Sequence, residues 1–252
     1  MTEKSSKERL EIVTENLPRI LQEVEEYGKG KAKLLAATKT VPVDVINYAI
    51  DHLGLTCIGE NRVQELLEKY DALHKDGVEI HFIGRLQTNK VKYIIDKVSL
   101  IHSVDSEKLA KEINRQAEKH GMVMDILVEV NVGREESKGG IYPEELDAFL
   151  DLLETFPHIR TVGLMAIPPQ NATKEETVNY FQQTYQIFVD ILQKKLHNIN
   201  RCVLSMGMSD TYKEALACGA NIVRVGSALF GKRYYPQKEE QESSALHKTI
   251  EK

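Results

Sequence analysis

Leu34-Leu35-Ala36-Ala37-Thr38-Lys39-Thr40 is the stretch on which the fold class turns. Its apolar run is short, ends on a lysine, and reads as a strand buried on both faces, as in a parallel sheet. An open dinucleotide-binding sheet would place a Gly-x-Gly-x-x-Gly turn directly after its first strand, and Lys39-Thr40-Val41-Pro42 follows instead. Outward from this point come seven comparable runs: Leu55–Ile58, Ile80–Ile83, Leu100–Ser103, Ile126–Val130, Val162–Met165, Cys202–Ser205 and Ile222–Val225. Chemistry-bearing residues recur after nearly every one of them, which favours a closed barrel over an open doubly wound sheet.

Helical stripes separate the runs. Pro143 suits a first helical turn and precedes Leu146, Phe149, Leu150, Leu153 and Phe156 at three- and four-residue spacing. Thr173-x-x-Glu176 reads as a capping box opening a helix through Val178, Phe181, Tyr185, Phe188 and Leu192. Before the repeat begins, Leu10, Val13, Leu17, Ile20 and Val24 mark one face of an extra helix that Gly28 can end. The expectation is an α/β chain with an N-terminal helix in residues 1–30, a single (β/α)8 or TIM barrel over 31–232, and a charged, weakly patterned tail at 233–252. That tail reads as frayed or as a short surface helix.

The 252 residues are 42% hydrophobic and 28% charged, with a net charge of −5, which fits a globular domain and gives no broad positive field for nucleic acid. Met1 to Arg9 is densely charged, and no apolar run approaches the ~18 residues of a membrane span, so neither membrane nor secretion is expected and the cytoplasm is the expected location. Cys57, Cys202 and Cys218 lie far apart and outside any C-x-x-C pattern, so they read as small hydrophobes rather than a disulfide or zinc set. Asn171-Ala172-Thr173 matches a glycosylation sequon without a secretory context, and Thr173 reads better as a helix cap.

Barrel chemistry sits where strands end. Lys39 follows its strand directly, where partial desolvation favours the neutral, nucleophilic amine, although on position alone a lysine snorkelling to the surface is the commoner case. Ser205-Met206-Gly207-Met208-Ser209 leads towards a second capping pattern, Thr211-x-x-Glu214, with Gly219 as the stop. Gly226-Ser227 follows the last run. Two small-residue turns side by side, each feeding a helix, read as a phosphate site of the type such barrels carry after strands seven and eight, although for either turn alone glycines that merely satisfy a tight turn fit as well. Arg224, inside an apolar run, must point either into the barrel towards an acceptor or out to a helix carboxylate, because an unpaired buried guanidinium is costly. Asn61 reads as a strand-end polar group or an N-cap, and Thr88 and Asn89 as caps of the helix carrying Val91, Ile94 and Ile95. His81 and His102, within strands, read as hydrogen-bonded core residues. The loop Gly133 to Gly140 reads as solvated, with closure over a ligand as the other reading.

Taken together, Lys39 in its strand end, Gly59-Glu60-Asn61 with Gln64-Glu65, His81-Phe82-Ile83-Gly84-x-Leu86-Gln87-x-Asn89-Lys90, Gly163-Leu164-Met165, Ser205 to Ser209 and Val223 to Ser227 resemble the pyridoxal phosphate homeostasis protein family. The likeness runs in order from about Lys33 to Gly231, with Thr38 where members often have serine. It implies a fold-type III barrel related to the N-terminal domain of alanine racemase, with pyridoxal 5′-phosphate (PLP) as an imine on Lys39. It further implies Arg224 at the pyridine nitrogen, Ser209, Gly226 and Ser227 at the phosphate, and Asn61, Met165 and Ser205 along the ring. An arginine partner leaves the pyridine nitrogen unprotonated and the ring a poor electron sink.

The implied function is a PLP-binding protein that stores, buffers or delivers the cofactor in vitamin B6 homeostasis without turnover, PLP-dependent apoenzymes being possible recipients. A racemase needs a second acid/base group on the opposite face. In the related racemase the resemblance assigns that group to a further β domain, for which the barrel leaves no room. The alternatives are a low-activity PLP-dependent amino-acid racemase using a tyrosine or cysteine of this chain, and a phosphate-binding barrel with no imine. No metal is expected, and a closed barrel has no sheet edge demanding a partner, so the expected state is a monomer.

Overall fold

The computed structural model describes residues 3–135, 138–194 and 202–231, so the expected 233–252 tail and part of the 133–140 loop lie outside the described residues. Eight parallel strands close in sequence order into one barrel. They are β1 (Lys33–Ala37), β2 (Cys57–Glu60), β3 (Glu79–Phe82), β4 (Leu100–Val104), β5 (Met124–Val130), β6 (Ile159–Ala166), β7 (Val203–Met208) and β8 (Ile222–Val225), with β8 pairing back onto β1. The helices are α1 (Glu3–Gly28), α2 (Val43–Leu53), α3 (Val63–Tyr70), α4 (Glu107–Lys119), α5 (Leu146–Glu154), α6 (Lys174–Lys194), α7 (Tyr212–Ala217) and α8 (Ser227–Phe230), with a 3-10 helix, Thr88–Tyr93, between β3 and β4.

Alternation along each strand divides the core in two. Leu35, Cys57, Ile83, Leu100, Leu127, Met165, Val203 and Ile222 fill the barrel interior, while a larger apolar layer joins the outer strand faces to the helices. The predicted stripe of α1 is used as read, with Val13, Leu17, Ile20 and Val24 buried.

Several local expectations need correction. The second strand starts at Cys57, not Leu55, and runs on through Glu60. Hydropathy cannot show this, because Glu60 is fully buried yet held by Thr38 and Lys69. Thr173 and Glu176 form their reciprocal capping box, at 2.7 and 3.2 Å. Thr211 and Glu214 do not: Glu214 is drawn to Lys174 at 2.7 Å, and Thr211 Oγ1 instead accepts the Met208 N–H. Thr88 and Asn89 sit inside the 3-10 helix, whose N-cap is Gln87 with no side-chain cap bond. Among the described residues no helix is long and apolar enough to cross a membrane.

Candidate functional site

The lysine turn, at the carboxyl end of β1, is braced by several charged side chains. Beyond β1 the chain must leave the barrel at once, and Thr40 does so with φ +62, a conformation that a β-branched residue rarely adopts. Three side chains from two helices hold that strain in place. From α1, the buried Arg9 donates to the Thr40 carbonyl at 2.6 Å. From α3, Glu65 accepts the Thr40 N–H in a short hydrogen bond. Lys69, also on α3, donates to the Thr38 carbonyl, Glu60 and Glu65 at 2.7–2.8 Å. The Thr38 hydroxyl donates to Glu60 at 2.7 Å. Burial pushes the Glu60 carboxyl up from its ordinary range, and Lys69 opposes the shift. Two cations and two carboxylates thus fix the neighbours of Lys39 and leave Lys39 itself on the wall of a cavity of about 570 Å³.

That cavity collects Lys39, Asn61, Ser209, Arg224, Gly226 and Ser227, six residues from four different strand ends. Met165 and Ser205 do not join them. Both are almost wholly buried below, Met165 in the apolar interior and Ser205 as the acceptor of an Arg224 hydrogen bond. Arg224 points inward, donating from Nη1 to Ser205 Oγ at 2.7 Å and from Nη2 to the Ala166 carbonyl at 3.2 Å. Burial lowers its pKa to about 10, with Glu129 opposing the shift, so it remains a cation at neutral pH. Asn61 Oδ1 is buried without a hydrogen-bond partner, and Asn61 is not the cap of α3, which is Arg62.

At the far side the two expected turns meet. Ser209 Oγ accepts the N–H groups of Gly226 and Ala228 at 3.1 and 3.3 Å. A Cβ on Gly226 would press on the Ala37 carbonyl at 3.2 Å, so glycine there lets the last turn lie close to the lysine strand. Gly207, at φ +89, would meet Ala215 at 2.5 Å with any side chain. The helices that follow have only six and four residues, so an anion here would be held by turn amides and hydroxyls more than by an extended macrodipole.

Glu129 is a residue that the strand-end reading passes over. Desolvation and the neighbouring Asp105 raise its pKa to about 7, against the pull of Arg224 and Arg85. A folded-state pKa above the ordinary 4.5 contributes stability that is complete below that value and is lost as pH rises through about 7. Ligand-free wild-type protein is therefore expected to lose up to about 3 kcal/mol relative to Glu129→Gln between pH 5 and 8. Parallel urea melts that keep a constant difference over that range would contradict this. Of the 133–140 loop, Lys138 lines the cavity, and Gly139 lies against the Asp105 and Glu129 carboxylates.

Residues 10–234 match the family model described as alanine racemase, N-terminal domain. Over 227 residues the chain is 48% identical to a pyridoxal phosphate homeostasis protein of Aquifex aeolicus (strain VF5), an alignment covering 88% of this chain and 98% of that one. The chain belongs to the pyridoxal phosphate homeostasis protein family. PipY of Synechococcus elongatus PCC7942, solved with PLP bound, is 32% identical with a TM-score of 0.77, covering 87% of this chain and 100% of that one. An alanine racemase of Clostridium difficile 630 shares the fold, at a TM-score of 0.65 and 19% identity, but this chain matches only 58% of its length. The family membership fits a barrel whose strand ends converge on one lysine-walled cavity.

Proposed function

We propose that this chain binds PLP in the cavity, joins it covalently through Lys39, and serves to hold and release the cofactor rather than to turn over a substrate. One observation carries the reading: a single lysine-walled cavity presents, from separate strand ends, each type of group that this ligand needs. The Ser209, Gly226 and Ser227 turns would hold the phosphate, and Arg224 would face the pyridine nitrogen. The orphaned acceptor of Asn61 suits a ring hydroxyl that donates. Bound PLP supplies an aldehyde that condenses with a primary amine with loss of water. The protein's share is to orient the Lys39 amine, to bury the ring and to keep a donor, not a carboxylate, at its nitrogen.

A racemase would need a tyrosine, cysteine or comparable group on the opposite face. No tyrosine or cysteine stands among the described residues lining the cavity. In the same reading the protein works as a cytoplasmic monomer, since every strand edge is paired, and hands the cofactor to PLP-dependent apoenzymes.

The absorbance spectrum of the purified protein with added PLP, before and after borohydride, tests this proposal. A visible band that borohydride removes, with the reduced adduct mapped to Lys39, is the expected result. A protein that stays colourless would leave only a phosphate-binding barrel. Ser209→Ala is expected to weaken PLP binding by about five- to tenfold, because it removes one hydroxyl that organises two amides. Titration followed at the visible band measures it, and an unchanged affinity would place the phosphate elsewhere.

A further inference from the structure

The barrel interior carries a polar line that the proposed binding role does not use. Lys33 and Glu79 are the first residues of β1 and β3 and form an ion pair of 2.6 Å at the amino-terminal mouth, each about one-third exposed. From there the line runs inward. Glu79 Oε2 lies 3.1 Å from His81 Nε2, and His81 Nδ1 lies 3.0 Å from His102 Nε2. His102 Nδ1 lies 3.1 Å from Ser205 Oγ, which takes the 2.7 Å bond from Arg224 Nη1. His81, His102 and Ser205 have no exposed surface at all.

The chemistry of the two ends fixes the direction of every bond. A guanidinium can only donate and an ionised carboxylate can only accept. Arg224 donates to Ser205, so the serine hydroxyl has its hydrogen to give to His102 Nδ1. His102 then carries its proton on Nε2 and gives it to His81 Nδ1, and His81 Nε2–H ends on Glu79. The opposite polarity needs either a bare His81 nitrogen facing the carboxylate that pairs with Lys33, which is repulsive, or a charged imidazolium at the fully buried His81, which burial disfavours. Both imidazoles are therefore neutral and in one tautomer, and no hydrogen in the line is misplaced.

We propose that Glu79, through His81, His102 and Ser205, is a positioning residue for the cofactor: it locks the acceptor that holds Arg224, and so sets how firmly the guanidinium is presented to the cavity from the opposite end of the barrel. Arg224 has two anchors, and the other is the weaker contact to the Ala166 carbonyl. Without Glu79 the buried His81 Nε2–H loses its carboxylate and keeps beside it only the Cys57 sulfur, 3.8 Å away and a weak acceptor. The histidines then exchange tautomers, the Ser205 hydroxyl is free to turn, and the better anchor of Arg224 fluctuates. The proposal rests on Arg224 contacting PLP, but the hydrogen-bond line itself exists without the ligand.

Two measurements separate the parts. Long-range proton–nitrogen NMR of 15N-labelled, ligand-free protein reads the tautomers directly; both rings are expected as the neutral Nε2–H form at neutral pH. Glu79→Leu is then expected to mix the His102 tautomers and raise the dissociation constant for PLP by about tenfold. Glu79→Gln, which keeps an acceptor, stays within about threefold. Asp125→Asn is the matched control, since Asp125 pairs with Arg160 at the start of β5 and β6 and touches neither histidine. It is expected to match wild type. An imidazolium or an Nδ1–H ring in the wild-type protein overturns the line. Correct tautomers with an unchanged PLP affinity in Glu79→Leu overturn the coupling. Failure of the wild-type protein to bind PLP overturns the cofactor reading instead, and the line is then judged on whether Glu79→Leu moves the His102 signals.

Discussion

Lys39→Ala protein is expected to give no visible band with PLP and no borohydride-trapped adduct, and to hold PLP at least ~100-fold more weakly than wild type, a loss of about 3 kcal/mol or more. The magnitude follows from what the substitution removes and what it leaves. Alanine deletes the amine on the cavity wall but disturbs none of the braces around it, which act on Thr38 and Thr40: the Arg9, Glu65 and Lys69 bonds go to backbone atoms or to other side chains. The fold should therefore survive with its melting temperature within a few degrees of wild type. The Ser209, Gly226 and Ser227 turns remain to give weak, colourless binding of the phosphate. Absorbance titration together with mass mapping checks both halves. An adduct that persists in Lys39→Ala on Lys138, the other lysine lining the cavity, would move the attachment point to the rim and sink the assignment.

Much of this arrangement is legible in the sequence, for a definite reason. The strands of a closed barrel are buried on both faces, so each appears as a compact apolar run, and Ile222–Val225 is found to the residue. The cost of burying a guanidinium is equally legible, but it demands only a partner for Arg224; the inward direction is seen in its bonds to Ser205 and Ala166. The same argument applies to Glu129, flanked like Arg224 by two valines, and a systematic search for ionisable residues inside apolar runs would find it. What sequence does not show is the partner. Two identical capping patterns diverge because Lys174 reaches Glu214, whereas Glu176 keeps its bond to the Thr173 N–H. His81 and His102 read as core histidines, as they are, but their pairing depends on β3 lying beside β4. Met165 and Ser205 lie beneath the cavity and not on it, because the pleat and the strand tilt decide depth, and spacing along the chain does not encode either.

The buried charges beneath the lysine turn make the second large effect. Lys69→Met is expected to destabilise the protein by about 3–5 kcal/mol, because it strands Glu60, whose side chain is fully buried, without its cation. For a chain of this size that corresponds to a fall in melting temperature of roughly 10 °C. The sign of the pH dependence identifies the cause. Burial already raises the Glu60 pKa in the wild type, and Lys69 is the largest influence lowering it. Without Lys69 the folded-state value climbs further, so folding requires the carboxyl to be protonated. The variant should be most stable below the ordinary 4.5 of glutamate and lose stability as pH rises through the raised value. Glu60→Gln combined with Lys69→Met should recover most of the loss and flatten the pH profile, because the amide needs no counter-ion. PLP uptake would respond as well, since Lys69 donates to the Thr38 carbonyl and its loss loosens the strained Thr40 turn that aims Lys39. Urea melts of the single and double variants from pH 5 to 8 decide the matter. A Lys69→Met protein that loses less than ~1 kcal/mol with a flat pH profile would mean that Glu60 is neutral in the native protein and that the ion pair braces nothing.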